Sequence, residues 1–163
     1  MDTTVDWSAT TTTSMPSATL SQDGIFGVRW VGFVRPSRST QYTFHIPLKT
    51  GGLTERVKLW VDNSIVIQQW NSIASATPSG TIGFATGNGY YDISMVYQGT
   101  AAALNGYQLL WENTASGVPN DDVSRGRIPS TRLFQVGLFW FCGIELLTLP
   151  PRHASPCCAQ SLT

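Results

Sequence analysis

Tyr91-Asp92-Ile93-Ser94-Met95-Val96-Tyr97 sets Tyr91, Ile93, Met95 and Tyr97 at every second position. Successive side chains of a strand point to opposite faces, so a period of two predicts a long strand with one buried face. A helix would need apolar residues three and four apart. Thr86-Gly87-Asn88-Gly89 stands before this run as a turn cluster. Gly80 to Ala85 precedes that turn as a short strand with Ile82 and Phe84 on one face. On the other side Gly99 to Gly106 reads as a loop, after which Tyr107, Leu109 and Trp111 alternate again.

The same pattern extends toward the N-terminus. Val57, Leu59 and Val61 alternate with Lys58 and Trp60, and Ser64 to Trp70 forms a second β-rich run. Asp62-Asn63 between them suits a hairpin tip, because Asp and Asn tolerate the positive φ that a tight turn needs. Further out, Phe26, Val28 and Trp30 alternate with Gly27, Arg29 and Val31. Pro36-Ser37-Arg38-Ser39 breaks the chain, and Tyr42, Phe44 and Ile46 alternate with Thr43 and His45. Lys49 to Glu55 is a loop carrying Gly51-Gly52. Turn signals thus recur about every 8–12 residues with no helical period, which predicts an all-β chain: an antiparallel β-sandwich or barrel, jelly-roll-like.

Charge narrows the function. Charged residues make up 12% of the chain, about half the usual quarter, which fits sheets solvated by Thr, Ser, Asn and Gln. Ten basic residues balance ten acidic ones, so no basic field attracts nucleic acid or anionic lipid. A neutral partner is expected. Cys142, Cys157 and Cys158 all lie near the C-terminus, which rules out a disulfide framework for residues 1–141. The adjacent pair also lacks metal-site spacing. Met1-Asp2-Thr3-Thr4-Val5-Asp6 has neither the basic nor the apolar region of a signal peptide. The apolar run from Val136 to Leu149 is too short for a membrane span and is stopped by Pro150-Pro151.

Three parts are expected: a Ser/Thr-rich N-terminal segment over 1–25, the β-domain over 26–134, and a tail over 135–163. Val136-Gly137-Leu138-Phe139-Trp140-Phe141-Cys142 would be sticky if left exposed. It either adds a strand, docks a neighbour, or does not belong to the fold, and the last is the expectation.

An ordered series of short pieces carries a resemblance: Val28-Arg29-Trp30-Val31-Gly32-Phe33, Tyr42-Thr43-Phe44, Leu59-Trp60-Val61-Asp62 with Trp70, Tyr97, Leu109-Leu110-Trp111, and Ile128-Pro129-Ser130 with Leu133. In order and spacing it is similar to the anthrax protective-antigen type β-barrel domain. Val5 to Leu20 corresponds to that family's weaker N-terminal part. The resemblance implies a β-sandwich or barrel of extracellular adhesins, glycosidases, toxins and surface receptors. It implies extracellular or cell-surface placement and, in many members, binding of glycans or glycoproteins.

Sugar-binding adhesins of that family hold calcium on two consecutive aspartates in the loop after the strand matched here by Tyr42 to Ile46. Calcium takes six to eight hard oxygens, and adjacent carboxylates supply them. Here the loop reads Lys49-Thr50-Gly51-Gly52-Leu53-Thr54-Glu55, with Glu55 as its one carboxylate. No cofactor is therefore expected, the alternative being calcium held by Glu55 and backbone carbonyls. Asp121-Asp122, the chain's one Asp pair, reads as a solvated turn.

The expected ligand residues are Trp60, Asp62, Asn63, Trp70 and Asn71. Trp60 alternates onto the face opposite Val57, Leu59 and Val61, and an aromatic ring packs against the C–H face of a sugar. Asp62, Asn63 and Asn71 supply planar polar groups for hydroxyls. The competing reading is turn chemistry at Asp62 and core packing for the tryptophans. Trp30 and Trp111 lie on apolar faces and are assigned to the core. His45 reads as structural.

No nucleophile elbow or zinc-binding His-Glu-x-x-His is present, and Glu112 and Asp92 read as outward strand residues rather than an acid–base pair. The expectation is a non-catalytic glycan-binding module. The alternative is a structural or protein-interaction spacer within a larger surface or secreted protein.

Overall fold

A computed structural model describes residues 25–48, 55–71, 75–100, 108–113 and 124–141. The Ser/Thr-rich start, Lys49 to Thr54, most of the Gly99–Gly106 loop, Asp121-Asp122 and the three cysteines lie outside the described residues.

The described strands are β1 (Ile25–Val34), β2 (Gln41–His45), β3 (Arg56–Val61), β4 (Ser64–Gln69), β5 (Ser79–Gly83), β6 (Tyr91–Thr100), β7 (Leu110–Asn113), β8 (Gly126–Arg127) and β9 (Leu133–Phe141). They form a five-stranded sheet in the order β4-β3-β6-β1-β9 and a four-stranded sheet in the order β5-β2-β7-β8. Every described strand pairing is antiparallel. The fold is an antiparallel β-sandwich.

Period-two alternation builds the core. Val28 and Trp30 of β1, Val57, Leu59 and Val61 of β3, and Ile93, Met95 and Tyr97 of β6 face inward from one sheet. Tyr42 and Phe44 of β2 and Trp111 of β7 meet them from the other, joined by Leu109, Phe84 and Ile128. Rings pack edge to face or tilted: Tyr42 lies 5.4 Å from Phe84 and 4.9 Å from Trp111, centroid to centroid. Trp111 is 1% exposed, and truncating such a side chain costs about 3–5 kcal/mol through lost burial and the cavity left behind.

The β3–β4 hairpin turns at Asp62-Asn63, with φ of 49° and 56°. Two positive φ values in a two-residue loop match the right-handed twist of the flanking strands. A β-bulge between Leu59 and Trp60 shifts the register across β4, so Leu59 faces Ile67 while Trp60 faces Ile65. At the sandwich edge β4 approaches β5 so closely that a Cβ on Gly80 would collide with the carbonyl oxygen of Val66. Only glycine fits there.

β9 pairs with β1 from Val34↔Leu133 to Gly27↔Phe141, with an irregularity between Val31 and Gly32. The strand therefore runs through position 134, where the β-domain was expected to end, and residues 135–141 add to the sheet edge. An apolar run without alternation is compatible with a strand, and β1 offers it a free row of N–H and C=O groups.

Candidate functional site

Strand direction divides the molecule into two ends. β1 and β3 run the same way and β6 runs against both, which brings Val34, Val61 and Tyr91 to one end. The hairpin tip lies there, and the Asp62 amide donates to the Asp92 carbonyl at 2.8 Å. The connections 46–55, 70–78 and 101–109 all leave the opposite end, beside His45, Gln69 and Thr100. We call this the loop end. Its described backbone is tied together where Leu48 and Ile46 donate to Ala76 and Pro78 at 2.8 and 3.0 Å.

The five ligand residues expected from sequence therefore separate into two groups. Trp60, Asp62 and Asn63 lie at or beside the hairpin tip, and Trp70 and Asn71 follow β4 at the loop end. At about 3.3 Å per strand residue the two groups stand roughly 20 Å apart. One monosaccharide cannot touch both. Trp60 is half-buried on the outer face of the larger sheet, and Asp62 and Asn63 are exposed with the backbone of a hairpin turn. Trp70 is half-buried, Asn71 is exposed, and the Lys58 ammonium sits 5.3 Å from the centroid of the Trp70 ring. A cation over one face of an indole holds the ring in place.

Two groups without a sequence-level partner acquire one. Glu55 is fully buried, and Tyr97, also fully buried, donates its hydroxyl to Glu55 Oε1 at 3.0 Å. A Cβ on Gly99 would collide with that hydroxyl, so glycine at 99 lets the phenol lie where it does. The signal was present in the sequence: Glu55 shares its parity with Val57, Leu59 and Val61. His45 Nε2 lies 2.8 Å from Glu112 Oε1 on the outer face of the smaller sheet. Glu112 and Asp92 are on different sheets, which removes them as an acid–base pair.

This donor set does not suit the calcium site of the sugar-binding adhesins. Lys49 to Thr54 contains no carboxylate, and Glu55 is turned into the core toward Tyr97. Among the described residues no group of three or more His, Cys, Asp and Glu side chains is arranged to hold a metal. Among the same residues no helix is long and apolar enough to cross a membrane.

The fold is an antiparallel β-sandwich module in which β2, β4 and β6 finish at the loop end while β7 finishes at the hairpin end. The chain belongs to the PA14 domain family, whose model matches residues 2–123. That match takes in the Ser/Thr-rich start. Among curated proteins it is 30% identical over 129 residues to Anti-sigma-I factor RsgI3 of Acetivibrio thermocellus. The match covers 79% of this chain but 17% of that protein, so the chain spans about a sixth of its relative. Among solved structures it is similar to an anti-sigma factor domain-containing protein from Clostridium clariflavum, with a TM-score of 0.59 and 28% identity. A second anti-sigma factor domain-containing protein gives 0.57 and 26%. Each comparison covers 82% of this chain and 40% of the other.

Proposed function

We propose that this chain is a non-catalytic carbohydrate-recognition module that serves as the sensing part of a longer, extracellularly exposed protein. PA14 domains are often carbohydrate-binding, and its relatives are named as anti-sigma factors. A domain that reads an external polysaccharide on behalf of a regulator unites the two facts.

The observation that carries the reading is the clamped indole of Trp70 at the end where three long connections leave the sandwich. A half-buried aromatic with exposed polar side chains next to it in the chain is the arrangement that takes the C–H face of a pyranose and then its hydroxyls. Asn71 follows it directly and Gln68 is exposed on β4 just before it. Recognition at this end is calcium-independent, because Glu55 is spent on Tyr97. Trp60, Asp62 and Asn63 form no part of the same contact and act in the hairpin.

A polysaccharide and oligosaccharide array, run with and without chelator, tests the proposal. Binding that survives the chelator is expected. Silence toward every glycan in both conditions would sink it and favour the spacer reading.

A further inference from the structure

The hairpin end carries a second assembly, remote from Trp70. Three segments meet there: the connection after β1, the connection between β5 and β6, and the turn before β9. Asn88, in the left-handed region at φ 60°, is their common point. Its amide donates to the Pro36 carbonyl at 2.7 Å. Its own carbonyl accepts Arg35 Nε at 3.1 Å, and its Oδ1 accepts Arg132 Nη1 at 2.8 Å. The Arg35 amide donates to the Arg132 carbonyl at 2.9 Å, which locks the two arginines to each other through the backbone.

The loop beneath is tied to β6 by hydrogen bonds. The Tyr91 hydroxyl accepts the Thr86 amide at 2.8 Å, lies 3.0 Å from Thr86 Oγ1, and donates to the Thr86 carbonyl at 3.1 Å. Beside it stands Tyr90, 59% exposed, with the Arg35 guanidinium 5.5 Å from its ring centroid and the Phe134 ring 5.2 Å away edge-on. Phe33, 37% exposed, pairs with Phe134 across β1 and β9 and extends the apolar surface.

Two features of this assembly exceed what closing a sandwich end requires. First, two guanidiniums are gathered on one residue, yet neither has a carboxylate partner among the described residues. Like charges are held together there at a cost that an anion would remove. Second, both side-facing acceptors of Asn88 are consumed by the arginines, while each arginine has five N–H donors and uses one in these bonds. Around Asn88 the patch therefore has donors to spare, and its nearest carboxylates stand at the border. A neutral sugar, which offers donors and acceptors together, fits it badly. A carboxylate, which only accepts, fits it well. Tyr, Phe and Arg on a preorganised surface are also the residues that dominate protein interfaces. Asp92, exposed on β6 and paired with Phe33 of β1, and Asp62, exposed in the hairpin turn, bound the positive area on its sheet side.

We propose that Arg35, Asn88, Arg132 and Tyr90 form a docking site for an acidic segment of a protein partner, with its carboxylates on the guanidiniums and its apolar side chains on Tyr90, Phe134 and Phe33. The site goes beyond glycan recognition and stands at the other end of the sandwich. The loop end reads a ligand while this end is held by protein.

Backbone amide shifts of the isotope-labelled chain, titrated with poly-L-glutamate, test the site. Shifts centred on Arg35, Asn88, Tyr90 and Arg132 are expected, weakening steeply between low salt and roughly 0.5 M salt. Affinity should fall about tenfold or more in R35Q/R132Q and several-fold in Y90A. Because the Asn88 bonds support the loop, Y90A, whose phenol makes none of them, keeps the test valid if the arginine variant loosens the fold. Alginate, a carboxylate polymer of sugars, should bind here more weakly than poly-L-glutamate. Absence of shifts, affinity unchanged in Y90A, or tighter binding of alginate at these amides each overturns the proposal.

Discussion

The hydroxyl of Tyr97 donates to Oε1 of Glu55 across 3.0 Å, and neither side chain is reached by solvent. Tyr97 ends the inward-facing series of β6, and Glu55 immediately precedes β3. The bond therefore joins the chain leaving the connection 46–55 to the chain entering the connection 101–109. Buried carboxylates are stable only when their oxygens are satisfied, so this contact matters more than a surface hydrogen bond.

Tyr97→Phe removes that donor and leaves the ring. The expected loss is about 1.5–3 kcal/mol, the usual cost of leaving a buried polar group without its partner. For a chain of this length that lowers Tm by roughly 3–12 °C. Glu55→Gln, which keeps an acceptor for the phenol, should cost less. Thermal denaturation of both variants checks the order, and equal stability of Y97F and the parent chain would show that the bond contributes nothing.

Gly80 makes a second, purely steric prediction. A methyl group there meets the Val66 backbone oxygen, which has no flexible side chain to yield. Gly80→Ala should destabilise the sandwich by about 1–3 kcal/mol, the usual cost of overpacking, read as a lower denaturant midpoint with an unchanged slope.

The hairpin tip tests whether Asp62 and Asn63 act through the backbone. Both sit at positive φ, where a β-branched residue costs about 1–2 kcal/mol. Asn63→Val should therefore destabilise by about that amount, while Asn63→Gly should be neutral or slightly stabilising. Equal midpoints for the two variants in urea denaturation would remove the turn role.

Much of the fold is written in alternation. β3 and β6 read directly, because one face is buried and the period is strict. Asp62-Asn63 marks its own turn, and Trp30 and Trp111 announce the core by parity. Glu55 was also legible by parity, but the glycine-rich stretch before it made it look like loop. The pairing of His45 with Glu112 was not legible. It links positions 67 residues apart and depends on which strand lies beside β2, a matter of topology rather than local pattern. β9 was hidden because a run such as Val136 to Phe141 has no polar face to betray its period. Sequence alone groups Trp60 with Trp70 because they share a hairpin. The length of that hairpin then set them at opposite ends. The arginine pair on Asn88 left no trace in sequence, since Arg35, Asn88 and Arg132 meet only through the sandwich.

The most direct test of glycan recognition at the loop end compares Trp70→Ala with Asp62→Ala against whichever glycan the parent chain binds. Trp70 is half-buried beside Lys58, so its loss removes a stacking surface while the buried core stays filled. Asp62 lies roughly 20 Å away at about 3.3 Å per strand residue. Isothermal titration of both variants, with thermal denaturation to confirm folding, reads the difference. The account predicts that W70A loses affinity at least about tenfold while D62A binds like the parent chain. Retained affinity in W70A together with lost affinity in a folded D62A would contradict it and move the site to the hairpin tip.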